Sequence, residues 1–323
     1  MGGLLLVSCM PADPARFEFE SKHMGATVRV VLVAADRAAG EAAAQAAFAR
    51  IAEVEQALSD YKADSELMRL CKANDAGPGK PRAVGGHLWA VLDAGQKLAA
   101  KSDGAFDVTV GPAVRLWRLA RRSQQMPDPK ELAEAMSKVG YRKVTLDPVG
   151  KMVTLAVSGM RPDFGGIGKG YAAEQALAVL KERGVSRSMV AVAGDIACGD
   201  PPPGVVGWRV DIAPLAAGRP PRTLMLANRA VSTSGDLEQF VEIGGVRYSH
   251  VLDPRTGLGL TGRRSVTVVA AKGIDADSLT KVASVLPPGR ALAVLREYGA
   301  EGLIVSKATD DAPEREVRSA GFP

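Results

Sequence analysis

The tightest constraint on this chain is a glycine-rich run set directly ahead of a helical segment, Asp163-Phe164-Gly165-Gly166-Ile167-Gly168-Lys169-Gly170-Tyr171. Four glycines in the six positions 165 to 170 let the backbone come close to something flat or anionic. The helix N-terminus that follows adds partial positive charge at the same place. The run is not a Walker A loop, because Asp163 stands five residues before Gly168 and Gly170 follows Lys169 where Ser or Thr belongs. It also fails the G-x-G-x-x-G pattern and follows no convincing Rossmann strand. From these residues alone, an anion site and a tight structural turn both stay open.

Around the run, helical and strand patterns alternate irregularly. Arg16 to Ala34 reads as two strands with a turn near Met24-Gly25, and Asp36 to Leu58 as a long Ala-rich helix with Ile51, Val54 and Leu58 at helical spacing. Ser65 caps a short helix through Leu67 and Leu70, and Gly86 to Lys101 forms another. Gly111 to Leu119, with Pro112 in its first turn, and Pro127 to Val139 are also helical. Two short strands follow at Lys143 to Asp147 and Met152 to Ala156, then the glycine run opens a helix from Tyr171 to Arg183. Beyond it come a buried strand at Met189 to Val192, a tight turn at Gly194-Asp195, and mostly strand and turn from Trp208 to Val269, ending in Ser265 to Ala270. Asp275 to Leu286 and Arg290 to Tyr298 are helical, Leu303 to Ser306 is a strand, and the polar segment Lys307 to Arg315 loops toward a last edge strand. With no regular βαβ beat, an α+β fold is expected rather than a doubly wound sheet.

Length and composition narrow the function classes. The 323 residues can bury one large core, and no apolar run approaches the ~20 residues needed to cross a bilayer, so a soluble body is expected. The net charge of +5 comes from scattered basic residues, and Arg118/Arg121/Arg122 and Arg263/Arg264 are read as solvated faces. No helix-turn-helix, RRM or zinc-finger pattern accompanies them, so no nucleic-acid partner is expected, whereas a mildly basic cleft suits an anionic substrate such as a dinucleotide. Cys9, Cys71 and Cys198 form neither a disulfide framework nor a metal cluster, and Cys71 and Cys198 read as small buried residues. Leu6-Val7-Ser8-Cys9 has the small-residue approach of a bacterial lipoprotein signal, although a charged n-region is missing and the apolar stretch is short. A clipped signal and an ordinary hydrophobic N-terminus both fit, and residues 1–15 read as a signal remnant or tether ahead of a body spanning 16–323, with room for two intimately packed lobes.

Two further segments could carry chemistry. Tyr248-Ser249-His250-Val251-Leu252-Asp253-Pro254-Arg255-Thr256-Gly257 places one of only three histidines beside Asp, Arg and Thr. His250 is a candidate base or phosphate contact, or else Asp253 and Thr256 simply hold a hairpin turn. Asp275-Ala276-Asp277-Ser278-Leu279-Thr280-Lys281 opens a helix with oxygen donors that suit a hard cation or a plain N-cap. Ser232-Thr233-Ser234-Gly235-Asp236 is a hydroxyl-rich turn with no decisive reading of its own.

Taken in order, the segments resemble the FAD:protein FMN transferase family (ApbE-type flavin transferases). The matching pieces run from His23-Met24-Gly25 through Leu58-Ser59-Asp60-Tyr61 with Ser65-Glu66-Leu67, and Gly104-Ala105-Phe106-Asp107-Val108-Thr109-Val110-Gly111-Pro112. They continue with Gly165 to Tyr171, Ala193-Gly194-Asp195, Thr233-Ser234-Gly235-Asp236, Ser249 to Gly257 and Ala276-Asp277. Each is weak alone, and their family order is specific. The resemblance implies mixed, largely antiparallel sheets with flanking helices, and FAD lying against Met24 and Tyr61. It puts Ala105, Phe106 and Asp107 near the flavin or adenosine, Gly165, Tyr171, His250 and Thr280 close to the cofactor, and Mg²⁺ or Mn²⁺ on the Gly168 carbonyl and the Asp277 carboxylate.

The family's metal site also uses a hydroxyl four residues after that carboxylate, where this chain has Lys281, with Thr280 one position early. An ammonium cannot ligate Mg²⁺. Thr280 shifting in, water filling the place, or an altered metal dependence are the open outcomes. Ala193 also replaces a family glycine.

The implied reaction cleaves the FAD pyrophosphate and transfers FMN to a Thr or Ser hydroxyl of an acceptor protein, with AMP leaving and His250 as base. Redox membrane subunits are the acceptors it implies, and the periplasmic side of the inner membrane the location, with a tether through Cys9. The competing readings are a metal-dependent FAD pyrophosphatase and a non-catalytic flavin-binding protein.

Overall fold

The alternating N-terminal segment forms a hairpin in the computed structural model, which describes residues 15–215, 220–235, 240–308 and 312–323. Its strands are β1 (Ala15–His23) and β2 (Ala26–Ala34), and the turn at Met24-Gly25 takes positive φ at both residues, 51° and 68°. The tether expected through Cys9 lies outside the described residues.

β2 pairs next not with a neighbour in sequence but with β6 (Ser188–Val192). An eight-stranded sheet grows outward from there through β7 (Asp195–Cys198), β10 (Arg229–Gly235), β14 (Arg263–Ala270), β15 (Glu301–Lys307) and β16 (Arg315–Arg318), in the order β1-β2-β6-β7-β10-β14-β15-β16. Every strand pairing in it is antiparallel, as expected for an α+β fold. Alternate residues on its strands enter different cores, which is the period-two signature of a sheet covered on both faces. Val28, Val30 and Leu32 of β2 join the main core, with Val266 and Val268 of β14, while Val31 and Val269 join a second core.

Three helices cover the main-core face. The Ala-rich pattern becomes α1 (Arg37–Leu58), capped by Asp36, whose side chain accepts the Ala39 N–H. Its small residues Ala43, Ala44 and Ala47 are buried, which lets it lie close to β1, β2 and α6 (Gly168–Glu182). α6 begins three residues before the expected Tyr171, because the Phe164 carbonyl already accepts the Gly168 N–H at 2.8 Å and closes the first turn. α7 (Gly273–Val285) crosses α6 and seats Leu279 and Val282 in the core, each such burial being worth about 1.5–3 kcal/mol. α8 (Pro288–Glu297) packs behind it.

The stretch between β2 and β6 supplies the remaining helices: α2 (Glu66–Ala76), capped by Ser65, α3 (Gly86–Lys101), α4 (Gly111–Ser123) and α5 (Pro129–Ser137). They enclose a small sheet of β3 (Arg82–Ala83), β5 (Met152–Leu155) and β4 (Val144–Asp147). On the second-core face lies the hairpin of β8 (Trp208–Ile212) and β9 (Arg222–Leu226). A third sheet, β11 (Phe240–Ile243), β12 (Val246–Asp253) and β13 (Leu258–Thr261), packs Val241 and Leu252 against Ala113, Trp117 and Ala120 of α4. Trp117 fixes that contact by donating its indole N–H to the Gly257 carbonyl at 2.7 Å. No helix among the described residues is long and apolar enough to cross a membrane. Cys71 and Cys198 are buried as expected, and burial pushes their thiols up to about 11 and about 12.

Candidate functional site

Where α4, the glycine turn, the ends of β6, β7 and β10, and β12 converge, they enclose a cavity of about 610 Å³. That is within the size range of small-molecule sites. Its mouth is built by the turn after α1. Ser59 Oγ accepts the Tyr61 and Lys62 N–H groups, both at 3.2 Å, and this holds Tyr61 outward, 77% exposed. The Arg118 guanidinium lies 4.7 Å from the centre of the Tyr61 ring, a cation–π contact that leaves the outer ring face open.

Arg118 ties the mouth to the glycine turn. It donates to Asp60, and to Asp163 Oδ2 at 2.8 Å, while Asp163 Oδ1 accepts the Gly165 N–H at 2.8 Å. Burial, with Asp60 nearby, holds the Asp163 carboxyl above the usual carboxylate range, against the pull of Arg118. For Arg118 burial works downward, but Asp163 and Asp60 outweigh it and raise its affinity for the proton. The charge cluster therefore divides differently from expectation. Arg118 is partly buried and lines the cavity, because α4 turns that side toward the glycine run; Arg121 borders the cavity while staying exposed, and Arg122 stays outside.

The cavity's inner wall is formed by Ala105, Phe106 and Asp107. Asp107 organises that wall: Oδ1 accepts the Thr109 N–H and hydroxyl at 2.8 and 2.7 Å, and Oδ2 accepts the Tyr141 N–H at 2.7 Å. Its carboxyl is pushed up by burial despite those bonds. Opposite, His250 and Ser249 project from β12, and Lys169 from the first turn of α6. The Asp253-to-Gly257 turn beside them is self-contained: Asp253 accepts from Arg255 Nε and Nη2 at 2.9 and 2.7 Å, and its carbonyl accepts the Gly257 N–H at 2.8 Å. The two readings of this segment thus separate by residue, with Asp253 holding the turn and His250 facing the cavity. Ser234 Oγ on β10 also lines it, buried and without a hydrogen-bond partner among the described residues.

Tyr61, Ala105, Phe106, Asp107, Gly165 and His250 therefore share one cavity, and the other expected residues lie behind its wall. Met24 donates its N–H to Glu55 Oε1 at 3.0 Å, and its methyl would be 3.6 Å from a Cβ at Gly168. The buried Tyr171 hydroxyl meets His87 Nδ1 at 2.9 Å. Asp277 and Thr280 sit on the inward face of α7, and Asp277 Oδ2 accepts the Gly170 N–H at 3.1 Å.

Two of the side chains expected at a divalent ion, Asp277 and Thr280, are already bound to a cation. Lys281 Nζ donates to Asp277 Oδ1 at 2.8 Å, to Thr280 Oγ1 at 2.9 Å and to the Asp277 carbonyl at 3.4 Å. Thr280 in turn donates to the Asp277 carbonyl at 2.7 Å, so its hydroxyl is not aimed at a separate site. Asp195 lines the cavity nearby and accepts from Ser232 Oγ at 2.5 Å. Burial, and then the Asp277 charge, push its carboxyl up to about 6. Burial works against the Lys281 ammonium, yet Asp277 and Asp195 together raise its hold on the proton. A dication placed about 4 Å from that ammonium would meet roughly 8 kcal/mol of repulsion at an effective dielectric near 20. As arranged, the donor set does not fit Mg²⁺ or Mn²⁺.

In the sequence alone, Arg118 and Arg121 read as a solvated face, Lys169 has no role of its own and Trp117 is not singled out. The spacing of Val114, Trp117, Arg118 and Arg121 along one helical face was the available signal, since all four line the cavity.

The chain has relatives of known family across most of its length. The ApbE family model matches residues 24–304. An FAD:protein FMN transferase of Klebsiella pneumoniae is 32% identical over 302 residues, covering 90% of this chain and 84% of that protein. One from Treponema pallidum is 33% identical over 299 residues, covering 87% and 80%. Among solved structures, the flavin transferase ApbE from Vibrio cholerae superposes with a TM-score of 0.84 at 28% identity, covering 96% of this chain and 98% of that one. The apo Pseudomonas stutzeri flavinyl transferase ApbE gives 0.81 at 29% identity, covering 95% of each. With a family model, sequence relatives and a fold that coincide over most of its length, the chain belongs to the ApbE family.

Proposed function

We propose that this chain is an FAD:protein FMN transferase, which cleaves FAD at the pyrophosphate and moves FMN onto a Thr or Ser hydroxyl of an acceptor protein. The observation that carries this reading is the single cavity into which Tyr61, the Ala105–Asp107 wall, the glycine turn and His250 all project, with Arg118, Arg121, Lys169 and Lys281 as cations around it. Set against the lining carboxylates Asp107, Asp163 and Asp195, these four cations still outnumber the anions and suit a dianionic pyrophosphate. The exposed ring of Tyr61 and the apolar face of Phe106 offer flat surfaces for an aromatic ring system.

In the transfer, the acceptor oxygen forms a bond to the FMN phosphorus, and the bond from that phosphorus to the bridging oxygen breaks. AMP leaves with the bonding pair. His250 accepts the hydroxyl proton as the nucleophile attacks, an assistance worth about 10²–10⁴-fold in such reactions. The backbone N–H groups of the glycine turn and the side-chain cations stabilise charge on the phosphoryl oxygens. No nucleophile of this chain is required. The acceptors are redox membrane subunits that carry the flavin covalently, and a tether at Cys9 would hold the enzyme beside them on the periplasmic side of the membrane.

Incubation with FAD and a candidate acceptor tests the reading. Transfer adds the mass of one FMN to the acceptor, water as nucleophile gives free FMN and AMP, and a binding protein returns FAD intact. His250→Ala is expected to lower transfer by about 10²-fold or more while FAD still binds. Unchanged turnover would remove His250 from the reaction.

A further inference from the structure

The cluster on the inward face of α7 has a cation built into it. Lys281 extends across the glycine turn, and its stem occupies the space a side chain at 166 would need: a Cβ on Gly166 would stand 2.9 Å from Lys281 Cγ and 3.4 Å from Cε. Gly166 is therefore required for Lys281 to reach its position. At the end of that stem the ammonium directs its three N–H groups at three oxygens of Asp277 and Thr280. The Asp277 side chain is almost fully enclosed, 2% exposed, so its charge has no access to water and depends on this partner. Lys281 itself reaches the cavity wall beside Asp195 and Gly166. One ammonium thus lies between two carboxylates and the space assigned to the pyrophosphate, which is where charge must be balanced during phosphoryl transfer.

We propose that the Lys281 ammonium is the resident cation of the dinucleotide site, occupying the oxygen cage of Asp277 and Thr280 in place of a divalent metal ion, so that this chain binds and cleaves its dinucleotide without one. The proposal rests on the flavin-transferase reading for the identity of the ligand. The charge on Lys281 is fixed by its covalent tether and needs no loading, and Arg118, Arg121 and Lys169 supply the further positive charge that the phosphates meet. Lys281 neutralises Asp277 and turns a carboxylate that would repel phosphate into half of an ion pair. Lysine commonly serves as a point charge toward phosphate in this way.

The test needs no acceptor protein, so it can fail separately from the transfer assay. The full chain is titrated with FAD in excess EDTA and again with millimolar Mg²⁺, and Mn²⁺ binding is followed by its paramagnetic resonance signal with and without FAD. Expected are FAD affinities within about twofold of each other in the two buffers and no protein-bound Mn²⁺. Lys281→Met, which keeps the stem and removes the charge, is expected to weaken FAD binding in EDTA by about tenfold or more. Lys281→Thr, which empties the cage, is expected to take up one Mn²⁺ per chain with FAD present and to bind FAD in a chelator-sensitive way.

One Mn²⁺ held per wild-type chain, or a tenfold or greater loss of FAD affinity on chelation, would overturn the proposal, as would a Lys281→Thr chain that takes up no Mn²⁺. If the variants fail to fold, the wild-type titrations decide alone. If FAD binds in neither buffer, the transferase reading falls, while the Mn²⁺ signal of the protein alone still decides whether the cage admits a metal. FAD binding without metal but no transfer to any acceptor would remove the transfer reading and leave Lys281 in its role.

Discussion

Asp195 is the residue whose protonation the fold alters most legibly, because its carboxyl is buried beside Asp277 and pushed up to about 6 from an ordinary value of 3.8. The folded chain therefore holds this proton more tightly than the unfolded chain. Below about pH 4 both states are protonated and the site costs nothing. Between about 4 and 6 the unfolded chain releases the proton first, so stability falls as pH rises, and above about 6 the loss is complete. A shift of this size corresponds to roughly 2–3 kcal/mol. Asp195→Asn keeps an acceptor for Ser232 and has no proton to lose, so its stability relative to the native chain should improve by about 2 kcal/mol between pH 4.5 and 7.5 in urea unfolding. A constant difference across that range would mean Asp195 ionises in the fold as it does in water. At this scale the sequence was readable where chemistry is local. The Lys281 departure can be seen in six letters of text, and its consequence follows from where an i, i+4 pair falls on a helix. The link from Asp60 through Arg118 to Asp163 could not be seen, because its members stand 58 and 45 residues apart and only the packing of α4 brings them together.

Helix α6 reaches its place because Gly170 in its first turn presents no side chain to α7. A Cβ on Gly170 would stand 2.1 Å from the Gly273 carbonyl and 2.6 Å from Asp277 Cβ, and one on Gly273 would stand 2.1 Å from the Gly170 carbonyl. The two helices cross backbone to backbone at this point, and neither partner is the movable end of a side chain. Gly170→Ala must therefore separate α6 from α7, breaking the bond from the Gly170 N–H to Asp277 and loosening the cage around Lys281. Overpacking against an unyielding backbone is expected to cost about 3 kcal/mol or more, although alanine favours a helix more than glycine does. Chemical denaturation gives the magnitude. A stability gain in this variant would show that the crossing has slack.

The glycine run was legible as a close approach but not as to what approaches. An anion was one reading and a structural turn the other; Gly170 serves the helix crossing, while Gly165 and Gly166 line the cavity. Helices read well from periodicity and caps. The eight-strand order did not, because β2 and β6 pair across more than 150 residues of intervening chain and nothing local encodes that register.

At the scale of the molecule, the cavity is a seam. Residues from Tyr61 to Lys281 border it, and they come from the helical stretch between β2 and β6, from the central sheet with α6 and α7, and from the β11–β13 sheet. The last of these leans on α4, by the small core around Trp117 and the bond from its indole to Gly257, and on α7. A ligand that fills the cavity must touch all three units, so its binding energy should appear as resistance of the whole chain to unfolding. At a hundredfold excess over its dissociation constant, FAD is expected to stabilise the fold by about 2.7 kcal/mol. For a chain of this size that corresponds to an increase in melting temperature of roughly 4 °C. Hydrogen exchange should then slow along β12 near His250 as well as in the first turn of α6, because local opening of the third sheet would expose the bound cofactor. If FAD raises the melting temperature but protects only α6 and the main sheet, the dinucleotide sits without contact to β12. His250 would then be too far from the phosphorus to act as a base. Protection of both elements, removed together when the cavity is blocked by a bulky residue at Gly165, would tie the three units to one ligand.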